Sequence, residues 1–164
     1  MIELNANKRQ VFINYATKSW IKKGTALANL NRDEEALQAY TNALALNPDN
    51  SDVWHRKGLI LHYLYRYEEA LQAYDKALEL DPDAFIVWYN KGIALTDLGR
   101  DREALQAYDI ALGLNPNDSD SWHRKAIALY KSGRYEEARQ AYEQALELNP
   151  NDFDTWLIED IALI

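Results

Sequence analysis

Three histidines, His55, His62 and His123, are the side chains here that could exchange protons near neutral pH or ligate a metal. Their spacing argues against both uses. His55 and His62 are separated by about 10 Å if helical, at about 1.5 Å per residue, too far to share one zinc ion, and His123 lies much further along the chain. Asp81 and Asp83 flank a proline and read as helix-end and turn residues, not as an acid–base pair. No nucleophile–base motif, phosphate-cradling glycine loop or HExxH pattern occurs. The chain has no cysteine, hence no thiolate nucleophile, disulfide or Cys-based metal site of its own. The expectation is a protein that is not an enzyme and carries no cofactor or metal.

Charge narrows the partners. Among 164 residues, 18 Lys plus Arg stand against 26 Asp plus Glu, a net charge of −8, which disfavours a sequence-independent grip on nucleic acid phosphates. The first ten residues lack the apolar core of a signal peptide, and no uncharged apolar run is long enough to cross a bilayer. The sequence therefore reads as that of a soluble, cytoplasmic chain that binds neither nucleic acid nor membrane.

The elements that must position any binding residues are set by a repeat. Trp20, Trp54, Trp88, Trp122 and Trp156 are spaced 34 apart, as are Pro48, Pro82, Pro116 and Pro150, and Tyr40, Tyr74, Tyr108 and Tyr142. Gly24, Gly58 and Gly92 keep the same step. The units run 17–50, 51–84, 85–118 and 119–152, preceded by an extension, 1–16, and followed by a partial fifth unit, 153–164. Within the second unit, Val53, Trp54, Lys57, Gly58, Ile60, Leu61 and Leu64 share a face at helical spacing. After Tyr65-Arg66 a second stripe follows, Ala70, Leu71, Tyr74, Ala77 and Leu78. Each unit is thus expected to be an antiparallel helical hairpin. It ends at the proline, which disfavours helix in the residue before it and donates no backbone hydrogen bond. Gly99 and Gly133 fall in the turn between helices, where a C-terminal cap belongs.

The order Trp, Gly, Leu, Ala, Tyr, Ala, Pro in one unit, seen in full as Trp88, Gly92, Leu95, Ala104, Tyr108, Ala111 and Pro116, resembles the tetratricopeptide repeat over 17–152. The resemblance implies an all-α fold, a right-handed α-solenoid of antiparallel helix hairpins. Its implied role is a non-catalytic protein–protein interaction scaffold. Two departures stand out. The glycine position is Ala126 in the fourth unit, and an apolar position of the family is held by Lys23, Lys57, Lys91 and Lys125. Those lysines can lay their stems on apolar surface and keep their amines wet.

On a helical wheel, positions 4, 7, 8 and 11 of each first helix are expected to point inward and positions 2, 5, 6, 9, 12 and 13 outward. The resemblance implies that the outward face lines a concave, peptide-binding groove. It carries cations at Lys22, Arg56 and Arg124, with Asn90 in the same row. Rings stand beside them at His55, Tyr63, Tyr89, His123 and Tyr130, with an apolar row at Leu59, Ile93 and Ile127. Arg and Tyr are enriched at interfaces, so the expected ligand is a peptide segment of a partner protein, acidic in character. The carboxylate clamp by which some members of the family hold chaperone tails is matched at Asn90 and Arg124 only. His55, Leu59 and Asp120 depart from it, and Asp120 would repel a carboxylate.

The ends suggest an alternative, self-assembly into oligomers through repeat ends, or a fragment of a longer array. In 153–164, Leu157, Ile158, Ile161 and Ile164 would present an apolar surface with no second helix to cover it. At the other end, Val11, Phe12 and Tyr15 are expected either to extend the first helix or to pack on it.

Overall fold

The structure, a computed structural model, describes residues 6–151. All regular elements among them are α-helices: α1 (Ala6–Asn29), α2 (Asp33–Leu46), α3 (Ser51–Tyr63), α4 (Tyr67–Leu80), α5 (Phe85–Asp97), α6 (Asp101–Leu114), α7 (Ser119–Lys131) and α8 (Tyr135–Leu148). They form two compact units, Met1–Pro82 with α1 to α4 and Asp83–Ile164 with α5 to α8. In the first unit α1 packs on α2, α2 on α3 and α3 on α4. In the second, α5 packs on α6, α6 on α7 and α7 on α8.

The turn inside each hairpin is a left-handed cap. Gly99 and Gly133 take φ of 71° and 74°, and Asn31 and Tyr65 adopt the same region at 55° and 59°. The arginine that follows donates its backbone N–H to the carbonyl five residues back, as in Arg66 to Leu61 at 2.9 Å and Arg100 to Leu95 at 2.8 Å. These bonds occupy carbonyls that the first helix leaves unpaired at its end. The same arginines then grip a glutamate one turn into the second helix through two parallel bonds, Arg32–Glu35, Arg66–Glu69, Arg100–Glu103 and Arg134–Glu137. The glutamates lie near helix N-termini, where the helix dipole favours negative charge. Asn50 and Asp118 cap α3 and α7, accepting from the backbone N–H of Val53 and Ser121.

Each hairpin core is organised by a tyrosine. Tyr40, Tyr74, Tyr108 and Tyr142 are almost fully buried, surrounded by alanines such as Ala36, Ala70, Ala104 and Ala138. The glycine of the first helix exists for that ring. A Cβ at Gly58 would lie 2.4 Å from Cε1 of Tyr74, and one at Gly92 would lie 2.5 Å from Cε1 of Tyr108. Ring and glycine therefore meet inside one hairpin.

The inward face also differs from the wheel. Positions 8 and 11 are buried as expected, together with Val53, Val87, Ile60 and Ala94, whereas the tryptophans of position 4 are only partly buried, Trp20 and Trp54 packing against the core cluster, and the lysines of position 7 are partly or fully exposed. Each lysine amine sits over its tryptophan, 5.0–5.1 Å from the ring centroid, in all four repeats. The indole N–H of Trp54 donates to the carbonyl of Pro48 at 2.8 Å, and Trp122 does the same to Pro116 at 2.9 Å. The aromatic ring thus pins the loop between consecutive hairpins, and the lysine stem covers its outer face.

Candidate peptide-binding faces

In the first unit the outward face of α3 rests on the buried tyrosines. His55 packs its ring against Tyr74 at a centroid distance of 6.1 Å, and burial pushes its pKa below the usual value, with Asp52 pulling the other way. Arg56 Nε donates to Asp52 Oδ2 at 2.8 Å, one turn back on the same helix. That bond, more than any other group, raises the guanidinium pKa, with a smaller contribution from the Tyr40 hydroxyl. Leu59 is half-buried and Tyr63 is exposed. Lys22 is exposed on α1, which also presents an open depression of about 380 Å³ lined by Tyr15, Lys18, Ser19, Ile21 and Lys22.

The second unit repeats the arrangement with different side chains. Tyr89 stands 6.4 Å from the Tyr108 ring, and His123 stands 5.9 Å from Tyr142. Burial raises the Tyr89 phenol, a rise opposed by its hydrogen bond with Arg124. Arg124 itself is exposed, and Asn90, Ile93 and Ile127 are half-buried. Tyr130 packs edge-on to Tyr135 at 5.2 Å. The Tyr142 phenol beneath His123 is pushed up to about 12 by burial.

Every groove residue expected from the sequence is accessible in part or in full on its own unit, and within each unit rings, a cation and a branched aliphatic side chain share one face. The carboxylate of Asp52 was not anticipated as the neighbour of Arg56, although Asp and Arg four residues apart on a helix is a readable signal. Lys18, beside Tyr15 in the depression on α1, was also not anticipated. Leu157, Ile158, Ile161 and Ile164 lie outside the described residues. Among the described residues no three His, Asp or Glu side chains converge as a metal site, and no helix is long and apolar enough to cross a membrane.

Helical hairpins of 34 residues, three of them closed by a glycine–tyrosine contact and, within each unit, joined through an indole bonded to the connecting loop, define a class of repeat protein. Two family models, each described as tetratricopeptide repeat, match residues 21–84 and 57–119 in one case and 119–152 in the other. The chain belongs to the tetratricopeptide repeat family. Its fold is the all-α solenoid class of that family, whose members are generally non-catalytic, and its general role is that of a protein–protein interaction scaffold. Among solved structures it is similar to MamA from Desulfovibrio magneticus RS-1, residues 41 to the end, with 20% identity, 90% of this chain and 83% of that chain covered, and a TM-score of 0.86. It is likewise similar to YrrB, described as a TPR protein with an unusual peptide-binding site, at 23% identity, 96% and 82% coverage and a TM-score of 0.79. The first TPR of Spaghetti (RPAP3), solved bound to the HSP90 peptide SRMEEVD, shares 27% identity over 68% of this chain and 89% of that one, with a TM-score of 0.67. No curated protein sequence matches.

Proposed function

We propose that the outward faces of the first helices bind a peptide segment of a partner protein, and that the segment is acidic with apolar side chains between its carboxylates. The observation that carries this is the pairing, on each unit, of an arginine with a partly exposed aliphatic side chain one turn further on: Arg56 with Leu59, and Arg124 with Ile127. Around them, Lys22 and Tyr63 in the first unit, and Tyr89, Asn90, Ile93 and Tyr130 in the second, supply hydrogen-bonding and apolar surface. His55 and His123 are held as rings against buried tyrosines. Arg56 would exchange its bond to Asp52 for one to a ligand carboxylate. An exposed ion pair of that kind contributes little to stability and yields readily. Similarity to the peptide-binding YrrB and to the HSP90-peptide complex supports a peptide ligand. Asp120 and Leu59, where a chaperone-tail clamp needs other side chains, argue for a different acidic sequence.

The test uses fluorescein-labelled twelve-residue peptides in which glutamate pairs flank two leucines, with lysine-substituted counterparts, followed by fluorescence anisotropy. Binding should favour the glutamate peptides and fall about tenfold or more in the Arg56→Glu, Arg124→Glu double variant, the loss of about 1.4 kcal/mol of charge-assisted contact. Equal affinities of wild type and variant for the glutamate peptides would overturn the acidic reading.

The alternative, a self-assembly module, gains support from the exposed side chains near the start of α1.

A further inference from the structure

Residues 6–16, before the first repeat, do not fold back but continue the first helix, so that α1 is 24 residues long. At 100° per residue, Lys8, Val11, Phe12, Tyr15, Lys18 and Lys22 fall on one face about a third of the helix wide. All six are exposed, with Val11, Phe12 and Tyr15 at 64%, 68% and 74% of their full accessibility. Nothing else described in this chain covers those rings. The stripe is also electrically distinct. α1 carries Lys8, Arg9, Lys18, Lys22 and Lys23 and no carboxylate, within a chain whose net charge is −8. Among the described residues Lys8, Lys18 and Lys22 have no ion-pair partner.

The complementary segment belongs to the same sequence. Residues 152–164 contain Asp152, Asp154, Glu159 and Asp160 with no Lys or Arg, alongside Phe153, Trp156, Leu157, Ile158, Ile161, Leu163 and Ile164. Acid and large apolar side chains are interleaved there as cation and large apolar side chains are interleaved on α1. We propose that the α1 stripe receives residues 152–164 of a second copy, the lysines meeting Glu159, Asp160 and their neighbours while Phe12 and Tyr15 meet the aliphatic side chains. This inference gives the self-assembly reading its receiving surface and rests on that reading alone, independent of peptide binding at Arg56 and Arg124.

Donor and acceptor lie on different parts of the chain, so the contact is heterologous, and each added copy leaves a new donor and a new acceptor free. The test follows the 164-residue chain by light scattering and sedimentation equilibrium from about 10 to about 500 μM, a range that covers weak association. Wild type should rise above the 19.0 kDa monomer mass with concentration. A Lys8→Glu, Lys18→Glu variant and a Glu159→Lys, Asp160→Lys variant should each remain monomeric, with far-UV circular dichroism confirming unchanged helix content. Mixed one to one, they should associate again, because the unchanged tail of the first meets the unchanged stripe of the second, and the reversed tail and reversed stripe are complementary in turn. A wild type that stays monomeric throughout, charge-reversed variants that associate like wild type, or a mixture that shows only monomers would each overturn the proposal. Neither variant alters Arg56 or Arg124, so failure here leaves the groove reading standing, and failure of the anisotropy test leaves this one standing.

Discussion

Replacing Gly58 by alanine sets two effects of known sign against each other. In the middle of a helix the substitution is favourable by about 0.8–1.0 kcal/mol, from backbone entropy alone. Against this, the new Cβ would lie 2.4 Å from Cε1 and 2.6 Å from Cδ1 of Tyr74. Carbon atoms rest at about 3.5–4.0 Å, so the ring must withdraw by roughly 1 Å. Tyr74 is fully buried and lies against the tilted ring of His55, which limits that movement. Overpacking costs about 1–3 kcal/mol. The fourth repeat already places Ala126 opposite a buried Tyr142, so the adjustment is feasible and the cost falls in the lower half of that range. Gly58→Ala should therefore destabilise by up to about 1 kcal/mol, whereas Gly113→Ala, at a site with nothing within 4 Å of the added carbon, should stabilise by up to about 1 kcal/mol. The decisive measurement is a double-mutant cycle with Tyr74→Leu, read by urea denaturation at 222 nm. Once the ring is gone, Gly58→Ala should become stabilising, with a coupling of about 1–2 kcal/mol between the two sites. If Gly58→Ala raises the stability of the otherwise wild-type chain as Gly113→Ala does, the ring contact is not what requires the glycine.

Two further perturbations test the local physics. Gly99 has φ of 71° and open space around it, so Gly99→Ala should cost about 1–2 kcal/mol from backbone strain alone; an unchanged urea midpoint would show that the turn does not need a left-handed residue. His55 has its pKa lowered by burial, so below its ordinary value of 6.5 the unfolded chain takes up a proton more readily than the folded one. Stability contributed by the neutral ring is complete above pH 6.5 and is lost as the pH falls through the folded value. A His55→Gln variant should show a shallower loss of stability between pH 6.5 and 5 than wild type, and identical slopes would refute the burial of this ring.

The sequence by itself determined the repeat and the class of fold. Indoles, prolines and tyrosines recurring every 34 residues leave one hairpin per unit as the arrangement that buries their common stripes, and helical spacing alone identified the faces bearing Arg56, Leu59, Arg124 and Ile127. A wheel gives direction around one helix but not depth beneath its neighbours. Depth is why Trp54, expected inside, is only partly buried against the core, its ring under the Lys57 amine and its indole N–H bonded to Pro48. It is also why the glycine proved to serve the ring of its own hairpin. Only tertiary structure decided that α1 runs on with Phe12 and Tyr15 uncovered. That outcome depends on which neighbours remain within reach after packing, and residue spacing within one helix does not contain that information.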